Sequence, residues 1–423
     1  MGKNIGFVST RFCGTDGVTL EARKWAQVLS AAGHRCFWFA GELDRDPQAS
    51  LLVPEAHFQH PDNRWISERV FGRKGRDPEV SDRIHELAAL LKGRLRGFMA
   101  DFAIDLLVPQ NVLTIPMHIP LGAALTELLA ETQVPTIAHH HDFYWERTRF
   151  SVNAVGDYIR MAFPPNLPNI AHVAINSAAQ EELALRTGIS STVIPNVVDF
   201  EHPPAVSAAS KERVRASLGL GPEDLVFVQP TRIVQRKGIE HAIELVRELA
   251  DPRCKLIISH EAGDEGYEYR DWLQDHARAS GVDLRLVRTR ASDPCPNGPL
   301  NHGNGSGLSL WELYPHADFI TYPSLYEGFG NAFLEAVYFR KPLLVNRYAN
   351  FVRDIEPAGF DLVTMDGFLT RRNVAMVREI LFDPERRRRM VETNYAVAAR
   401  HFSFAVLRKH LSYLIINFFG MES

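Results

Sequence analysis

Two Rossmann-like α/β domains, each a doubly wound parallel sheet, are the architecture this sequence predicts. The chain has 423 residues, too many for one ordinary core and suited to two domains of about 200. A strand–helix–strand pattern opens the chain, and a second such pattern begins near Leu225. Between them, residues 200 to 210, with Pro203, Pro204 and several Ser and Ala, read as a linker.

Composition narrows the function classes. Hydrophobic content of 45% and charged content of 23% are those of a soluble globular protein. A net charge of -4 leaves no electrostatic footprint for nucleic acid. Cys13, Cys36, Cys254 and Cys295 show no metal or redox spacing, so a reduced, cytoplasmic setting is expected. No apolar run reaches the length of a membrane span, and the first strand starts too early for a signal peptide. Gly6 stands where myristoylation wants Ser or Thr. Peripheral membrane association stays open.

Ile5 to Ser9 reads as a buried strand, Thr19 to Ala32 as a helix closed by Gly33, and His34 to Ala40 as the next strand. In the loop Arg11-Phe-Cys-Gly-Thr-Asp-Gly-Val18, Gly14 and Gly17 admit a plain tight turn or a close approach of backbone to phosphate. Residues 44 to 80 read as irregular and polar. Arg64, Arg69, Arg73, Lys74 and Arg76 cluster there, and Lys92, Arg94 and Arg96 follow. Interleaved acids make a solvated face the favoured reading, and an acidic acceptor or anionic lipid surface the sharper one.

Leu106 to Pro109 is a further strand, Leu121 to Glu131 a helix, and Pro135 to Asp142 a strand ending in His139, His140, His141 and Asp142. Consecutive histidines on an extended chain face alternate sides and cannot all hold one ion. No cysteine or second histidine pair completes a zinc set. Strand C-termini are where open parallel sheets place ligands, although a histidine there also serves as a plain strand cap. Phe143-Tyr-Trp145 adds aromatic surface, for sugar faces or for lid packing. A strand from Ala171, a helix from an N-cap at Ser177 to Thr187, and Val193-Ile-Pro-Asn-Val-Val-Asp199 end this half.

The second half opens with the strand Leu225-Val-Phe-Val-Gln229, the loop Thr231-Arg-Ile-Val-Gln-Arg-Lys-Gly238, and an amphipathic helix from Ile239 to Leu249. Arg232 and Lys237, five apart on a loop that opens a helix, suit a diphosphate beside the positive helix end. Two solvated cations would show the same spacing, and Arg236 is expected to be extra and exposed. A strand from Lys255 to His260, an acidic loop without metal-ligand spacing, a helix from Tyr269 to Ala279 and a strand from Leu284 to Val287 follow. Residues 289 to 309 form a Gly-, Asn- and Pro-rich loop, and Ser309 to His316 a helix.

Ala317 to Thr321 is then a buried strand broken by Pro323, and Gly328 and Gly330 permit a tight turn. From Asn331 the pattern is helical, with Phe333, Ala336, Val337 and Tyr338 on its apolar side. Such a turn leaves free N–H groups and a positive dipole end for an anion. Glu327 and Glu335 bracket it and can accept from vicinal hydroxyls, or they are solvated helix-start acids. Lys341 to Asn346 is the next strand, and Phe402 to Phe419 an amphipathic helix suited to core packing.

Glu327, seven residues and Glu335, with Gly328-Phe329-Gly330 between, resemble the signature of retaining family 4 glycosyltransferases of the GT-B fold. Arg232, four residues and Lys237-Gly238 resemble a second hallmark of that family, with Thr231 where glycine is usual. The Asp16-Gly17 loop and the Ile194-to-Asp199 segment also match, with Val197 at a usual glycine. The resemblance spans nearly the whole chain and is weakest over 44 to 100 and 289 to 309.

It implies an acceptor-side domain 1–198, to which 402–423 returns, and a nucleotide-sugar-binding domain 199–401 across a cleft. It implies a glucosyl or mannosyl group moved with retention from a UDP- or GDP-sugar to an acceptor hydroxyl, with no metal or other cofactor. Catalytic roles fall on His141, Arg232, Lys237 and Glu327. Donor contacts fall on Gly17, Gly328, Phe329, Gly330, Asn331, Ala332 and Glu335, the last on the ribose. Asp16, His139, His140 and Asp142 fall on the acceptor side, with the register among the histidines open by one or two residues. The Asp16-to-Glu21 loop favours small acceptors such as glycerate-type solutes. Three alternatives share the architecture. A nucleotide-sugar epimerase would lack the Arg–Lys and Glu–Glu sets, a glycan phosphorylase would carry a cofactor lysine site, and a non-catalytic binding protein would have lost a charged residue.

Overall fold

Strands β1 (Asn4–Val8), β2 (Arg35–Ala40), β3 (Ser50–Leu52), β4 (Leu106–Pro109), β5 (Thr136–His140), β6 (Ile170–Ala174) and β7 (Ser191–Val193) form one sheet in the order β3-β2-β1-β4-β5-β6-β7. Every pairing is parallel. Runs such as Phe37-Trp-Phe-Ala40 and Leu106-Leu-Val are apolar throughout because these strands are covered on both faces. In the helix Pro78–Asp101, Ile84, Ala88, Leu91, Leu95 and Phe98 repeat at the helical period and enter the core, where Leu125, Leu128 and Leu129 of the helix Ile119–Thr132 join them. Each such aliphatic or aromatic side chain contributes about 1.5–3 kcal/mol on burial.

The structure is a computed structural model and describes residues 2–14, 16–203, 208–259, 267–287, 289–290 and 308–420. Two units separate, Met1–Pro195 with Ala405–Ser423, and Asn196–Phe404. The helix Phe404–Phe419 lies almost entirely in the first, with Leu407, Leu411, Leu414 and Ile415 buried.

The second unit holds β8 (Leu225–Gln229), β9 (Cys254–Ile258), β10 (Asp283–Leu286), the short pair β11 (Thr289–Arg290) and β12 (Leu308–Ser309), then β13 (Phe319–Tyr322), β14 (Leu343–Asn346) and β15 (Val363–Met365). Its main sheet is parallel in the order β10-β9-β8-β13-β14-β15. The helix Ile239–Leu249 packs on it through Ile239, Ala242, Ile243, Val246 and Leu249.

Several expectations are corrected. Residues 44 to 80 are not irregular: they include β3 and the helix Pro61–Val70, which turns Asn63, Ile66 and Val70 inward. Arg64 and Arg69 on its other faces hid that spacing. Asn176, not Ser177, caps the helix Ser177–Thr187, because its side chain accepts from Ala179 N at 2.7 Å. The expected helix from Ser309 breaks into Leu310–Leu313 and a 3-10 turn Tyr314–His316, since Pro315 offers no backbone donor. The helix Ala208–Ser217 begins inside the expected linker. Residues 204–207, the acidic loop 261–266 and most of 289–309 (291–307) lie outside the described residues.

In both sheets the direction of winding reverses once, between β1 and β4 and between β8 and β13. Open α/β sheets place their ligands beyond the strand C-termini at that reversal.

Candidate active site

At the reversal in the C-terminal unit, the loop after β8 meets the loop after β13. Gly238 has φ +57°, and a Cβ there would stand 2.6 Å from Pro323 O, so the loops touch backbone to backbone. Leu325 N donates to Arg236 O at 2.9 Å. Lys237 and Glu327, ninety residues apart, are both buried and joined by a hydrogen bond. Burial holds the Lys237 ammonium below the ordinary lysine range; Glu327 opposes that shift, and Arg236 and Arg232 add to it. Arg236, expected to be exposed, is half-buried instead, with Nη1 3.8 Å from Glu327 Oε2, while Arg232 is exposed. Thr231, at the usual glycine, has a job of its own: its hydroxyl accepts from Gln229 Nε2 at 3.0 Å, and Gln229 Oε1 accepts from Thr321 at 2.7 Å.

The turn from Pro323 to Gly330 is pinned from behind by residues at alternate positions from the last residue of β14 onward. Asn346 Nδ2 donates to Ser324 O (3.0 Å), Tyr348 Oη to Phe329 O (2.7 Å), and Asn350 Nδ2 to Glu327 O (2.9 Å) and Gly328 O (3.0 Å). Gly330 has φ +118°, and a Cβ there would lie 2.5 Å from Tyr348 Oη, so only glycine fits. The helix Asn331–Tyr338 starts from this glycine without a side-chain cap, leaving the first amides, at Asn331 and Ala332, for an anion. Asn331 Oδ1 accepts from Asn196 at 2.7 Å. Glu335 accepts from Tyr314 Oη at 2.9 Å, and burial followed by Glu335 drives that phenol well above its ordinary range, so it stays a donor.

At the reversal in the N-terminal unit the chemistry is different. Asp16 caps the helix Gly17–Ala31, accepting from Thr19 N (3.1 Å) and Thr19 Oγ1 (2.8 Å), and it pairs with Arg11 at 3.1 Å. Gly17 is the first residue of that helix. Past β5, His141 N donates to Asn111 Oδ1 at 3.0 Å, Asn111 Nδ2 donates to Asp142 Oδ1 at 2.7 Å, and Arg147 Nε reaches Asp142 at 2.6 Å. Asn111 sits at φ +61°, a left-handed conformation at a strand end.

The three histidines divide as alternation requires. His139 and His141 share Gln110 Oε1, at 2.9 and 3.0 Å, and His139 stacks on Trp25 with centroids 4.1 Å apart. His140 points away, bonded to Thr114 (2.6 Å) and His172 (2.8 Å). His139 and His140 are buried to 1% exposure, while His141 is half-buried. Burial lowers the pKa of His141 to about 4 against the pull of Asp142 and Asp16, and lowers that of His172 to about 4. His141 is a neutral imidazole at neutral pH.

Each unit therefore gathers its own group: Arg232, Lys237, Glu327, the glycine turn and Glu335 in one; Asp16, Gly17, His141 and Asp142 in the other. Sequence reasoning missed Gln110 and Asn111, although a polar pair straight after a buried strand was a signal. Asn346, Tyr348 and Asn350 carried a strand-like alternation past the end of β14. Tyr314 carried no signal, because its meeting with Glu335 depends on packing.

Residues 302–397 match the family described as glycosyl transferases group 1. A mannosylglucosylglycerate synthase of Thermotoga maritima is 33% identical over 94% of this chain and 96% of its own length. The chain belongs to the group 1 glycosyl transferases. A second mannosylglucosylglycerate synthase, from Petrotoga mobilis, is 31% identical over 90% of this chain and 94% of its own. An Anabaena protein crystallised with UDP and glucose matches with a TM-score of 0.66 at 13% identity, over 98% of this chain and 100% of that one, a likeness of GT-B fold. In this transferase the matched family segment contains Glu327, the glycine turn and Glu335, whereas Arg232, Lys237 and the N-terminal group lie outside it. No helix among the described residues is long and apolar enough to cross a membrane.

Proposed function

We propose that the chain is a retaining hexosyltransferase of the family 4 type, moving a mannosyl group from a nucleotide diphosphate sugar to a hydroxyl of a glucosylglycerate. The observation that carries this reading is the C-terminal reversal, where Arg232, Lys237, an uncapped helix start and two placed glutamates converge. The name of the two full-length relatives, mannosylglucosylglycerate synthase, supports this choice of sugar and acceptor.

As the bond from the anomeric carbon to the diphosphate breaks, negative charge develops on the leaving oxygens. In this reading Arg232, Lys237 and the amides at Asn331 and Ala332 take that charge without a metal. Glu335, oriented by Tyr314, takes the ribose hydroxyls. Glu327 and the amides of Gly328, Phe329 and Gly330 take hydroxyls of the hexose, with Lys237 and Arg236 beside the Glu327 carboxylate. His141 offers a neutral ring to a sugar hydroxyl, with Asp16 and Asp142 beside it on the acceptor side. The acceptor oxygen bonds the anomeric carbon from the face the diphosphate leaves, and its proton passes to a departing phosphate oxygen. Configuration is retained and no dedicated base is needed.

The test is to incubate the pure protein with UDP- and GDP-linked glucose and mannose, with glucosylglycerate present. Mass spectrometry should find one added hexose, the anomeric NMR coupling should match the donor, and EDTA should leave the rate unchanged. Binding of nucleotide sugar without transfer or slow hydrolysis would count against an enzyme.

A further inference from the structure

We propose that a pocket in the N-terminal unit, walled by the helix Pro61–Val70 and residues 148–152, binds the acid end of the acceptor, with Arg149 and Arg64 taking its carboxylate and Phe58, Phe71 and Phe150 its carbon skeleton. This rests on reading the chain as a transferase to a glycerate-type acceptor.

The pocket measures about 310 Å³, within the range of small-molecule sites. Its walls are fixed. Asn63, 1% exposed, donates through Nδ2 to Phe58 O and to Met117 O, both at 2.8 Å. Gly72 N donates to Val152 O and Ala154 N to Val70 O, each at 2.8 Å, clamping the helix end to the opposite wall. Phe71 and Phe150 meet edge to face with centroids 4.9 Å apart.

The charges in it are underused. Arg149 has no ion pair or hydrogen bond among the described residues and stands 4.5 Å over the Phe150 ring. Burial and the neighbouring Arg147 hold its pKa below the ordinary arginine range, Asp142 pulling the other way. Asp142 is already engaged by Arg147 and Asn111. Arg64 has only Glu68, at 3.7 Å, and both side chains are more than 60% exposed, so that pair is weak. Arg149 is exposed, and its neighbouring carboxylate Asp142 is bonded elsewhere, so its guanidinium can hold an incoming carboxylate through paired N–H donors.

The position suits an acceptor. Arg149 lies a few residues past His141 and Asp142. Arg11, 5.6 Å over the Phe58 ring, holds Asp16 on its other side. Through Arg11 and Arg149 the pocket adjoins the loops that follow β1 and β5, the side of this unit on which Asp16 and Asp142 lie. Two other cations of this region are already paired, Arg76 with Asp157 (2.7 Å) and Lys92 with Glu127 (2.8 Å).

Calorimetry on the full chain and on Arg149→Ala and Arg64→Ala, with glucosylglycerate, its 3-phosphate and the uncharged glucosylglycerol as probes, tests this. The wild type should bind glucosylglycerate roughly tenfold or more tighter than glucosylglycerol, and Arg149→Ala should erase that preference without changing glucosylglycerol binding. Arg64→Ala should reduce the preference less. Equal binding of the acid and the neutral probe, or an intact preference in Arg149→Ala, overturns the proposal, as does a preference seen only with the 3-phosphate. If acid-selective binding holds but no hexose is transferred to glucosylglycerate, the functional reading above fails and the carboxylate pocket stands.

Discussion

At the reversal of the N-terminal sheet the first helix begins behind a carboxylate, and at the reversal of the C-terminal sheet two helices begin behind glycines. Asp16 uses its oxygens on Thr19 and Arg11, so the positive end of that helix is already answered. Gly238 and Gly330 offer no capping side chain; Ile239 N donates to Tyr269 Oη at 3.2 Å, while the helix Asn331–Tyr338 has no side-chain cap. The same topology thus produces one end closed to anions and one open to them. The titratable groups follow the same division. Around β5 the imidazoles of His139 and His140 are buried and that of His141 half-buried, bonded to Thr114, His172 and Gln110, whereas around β13 Lys237 meets Glu327 and Tyr314 meets Glu335. A diphosphate has one reversal suited to it, and hydroxyl-bearing groups have the other.

The largest expected effect comes from breaking the charged side. Lys237→Ala or Glu327→Ala should lower turnover at saturating donor by about 10²–10³-fold, the loss typical of a group that stabilises developing charge. Wild-type rates in both would remove the charged reversal from the mechanism.

Acid should break the other side. His118, His141 and His172 titrate near pH 4 in the folded chain, burial being the main cause, against about 6.5 when unfolded. Between those values the unfolded chain holds more protons. Stability is therefore complete above about pH 6.5 and falls as the pH drops, by up to about 3 kcal/mol for each imidazole near pH 4. Urea unfolding at pH 7.5 and at pH 5 should show the loss, with tryptophan emission reporting Trp25 against His139. Equal midpoints at the two pH values would contradict the neutral imidazole network.

Glu335→Ala should weaken binding of nucleotide diphosphate sugar by roughly tenfold or more while changing turnover less, since it removes a carboxylate acceptor and leaves Tyr314 only its longer bond to Ala332 O. An unchanged Kd by calorimetry would take Glu335 off the ribose. The smallest effect is expected from Asp16→Ala, about 1 kcal/mol of stability for a lost N-cap, with donor affinity unchanged. If donor affinity collapsed instead, the diphosphate would belong to the N-terminal helix and the contrast between the reversals would be reversed.

Much of this was legible in residue order. Apolar runs placed β1, β5, β8 and β13 within a residue or two, and helical spacing placed the starts of the helices after β1, β8 and β13 as closely, because each is a local pattern. Arg232 with Lys237 and Glu327 with Glu335 stood out because a loop that opens a helix must supply its own charges at short spacing. The helix Pro61–Val70 was not legible, since two arginines on its solvent side broke the apolar count. Arg236 was read as surplus, and its half-burial beside Glu327 comes from a loop ninety residues away. Tyr314 and Tyr348 lie outside the motifs they support.

By itself, then, the order of residues determined two doubly wound sheets and the two glycine-bearing turns with their cations and acids, because strand period, helix period and the need for φ > 0 act over a few neighbouring residues. The tertiary structure decided which charges meet: Lys237 with Glu327, Tyr314 with Glu335, His140 turned to His172 while His139 and His141 share Gln110. Those pairings depend on which strands lie side by side at each reversal, and strand order is set by long-range packing that no short stretch of sequence contains.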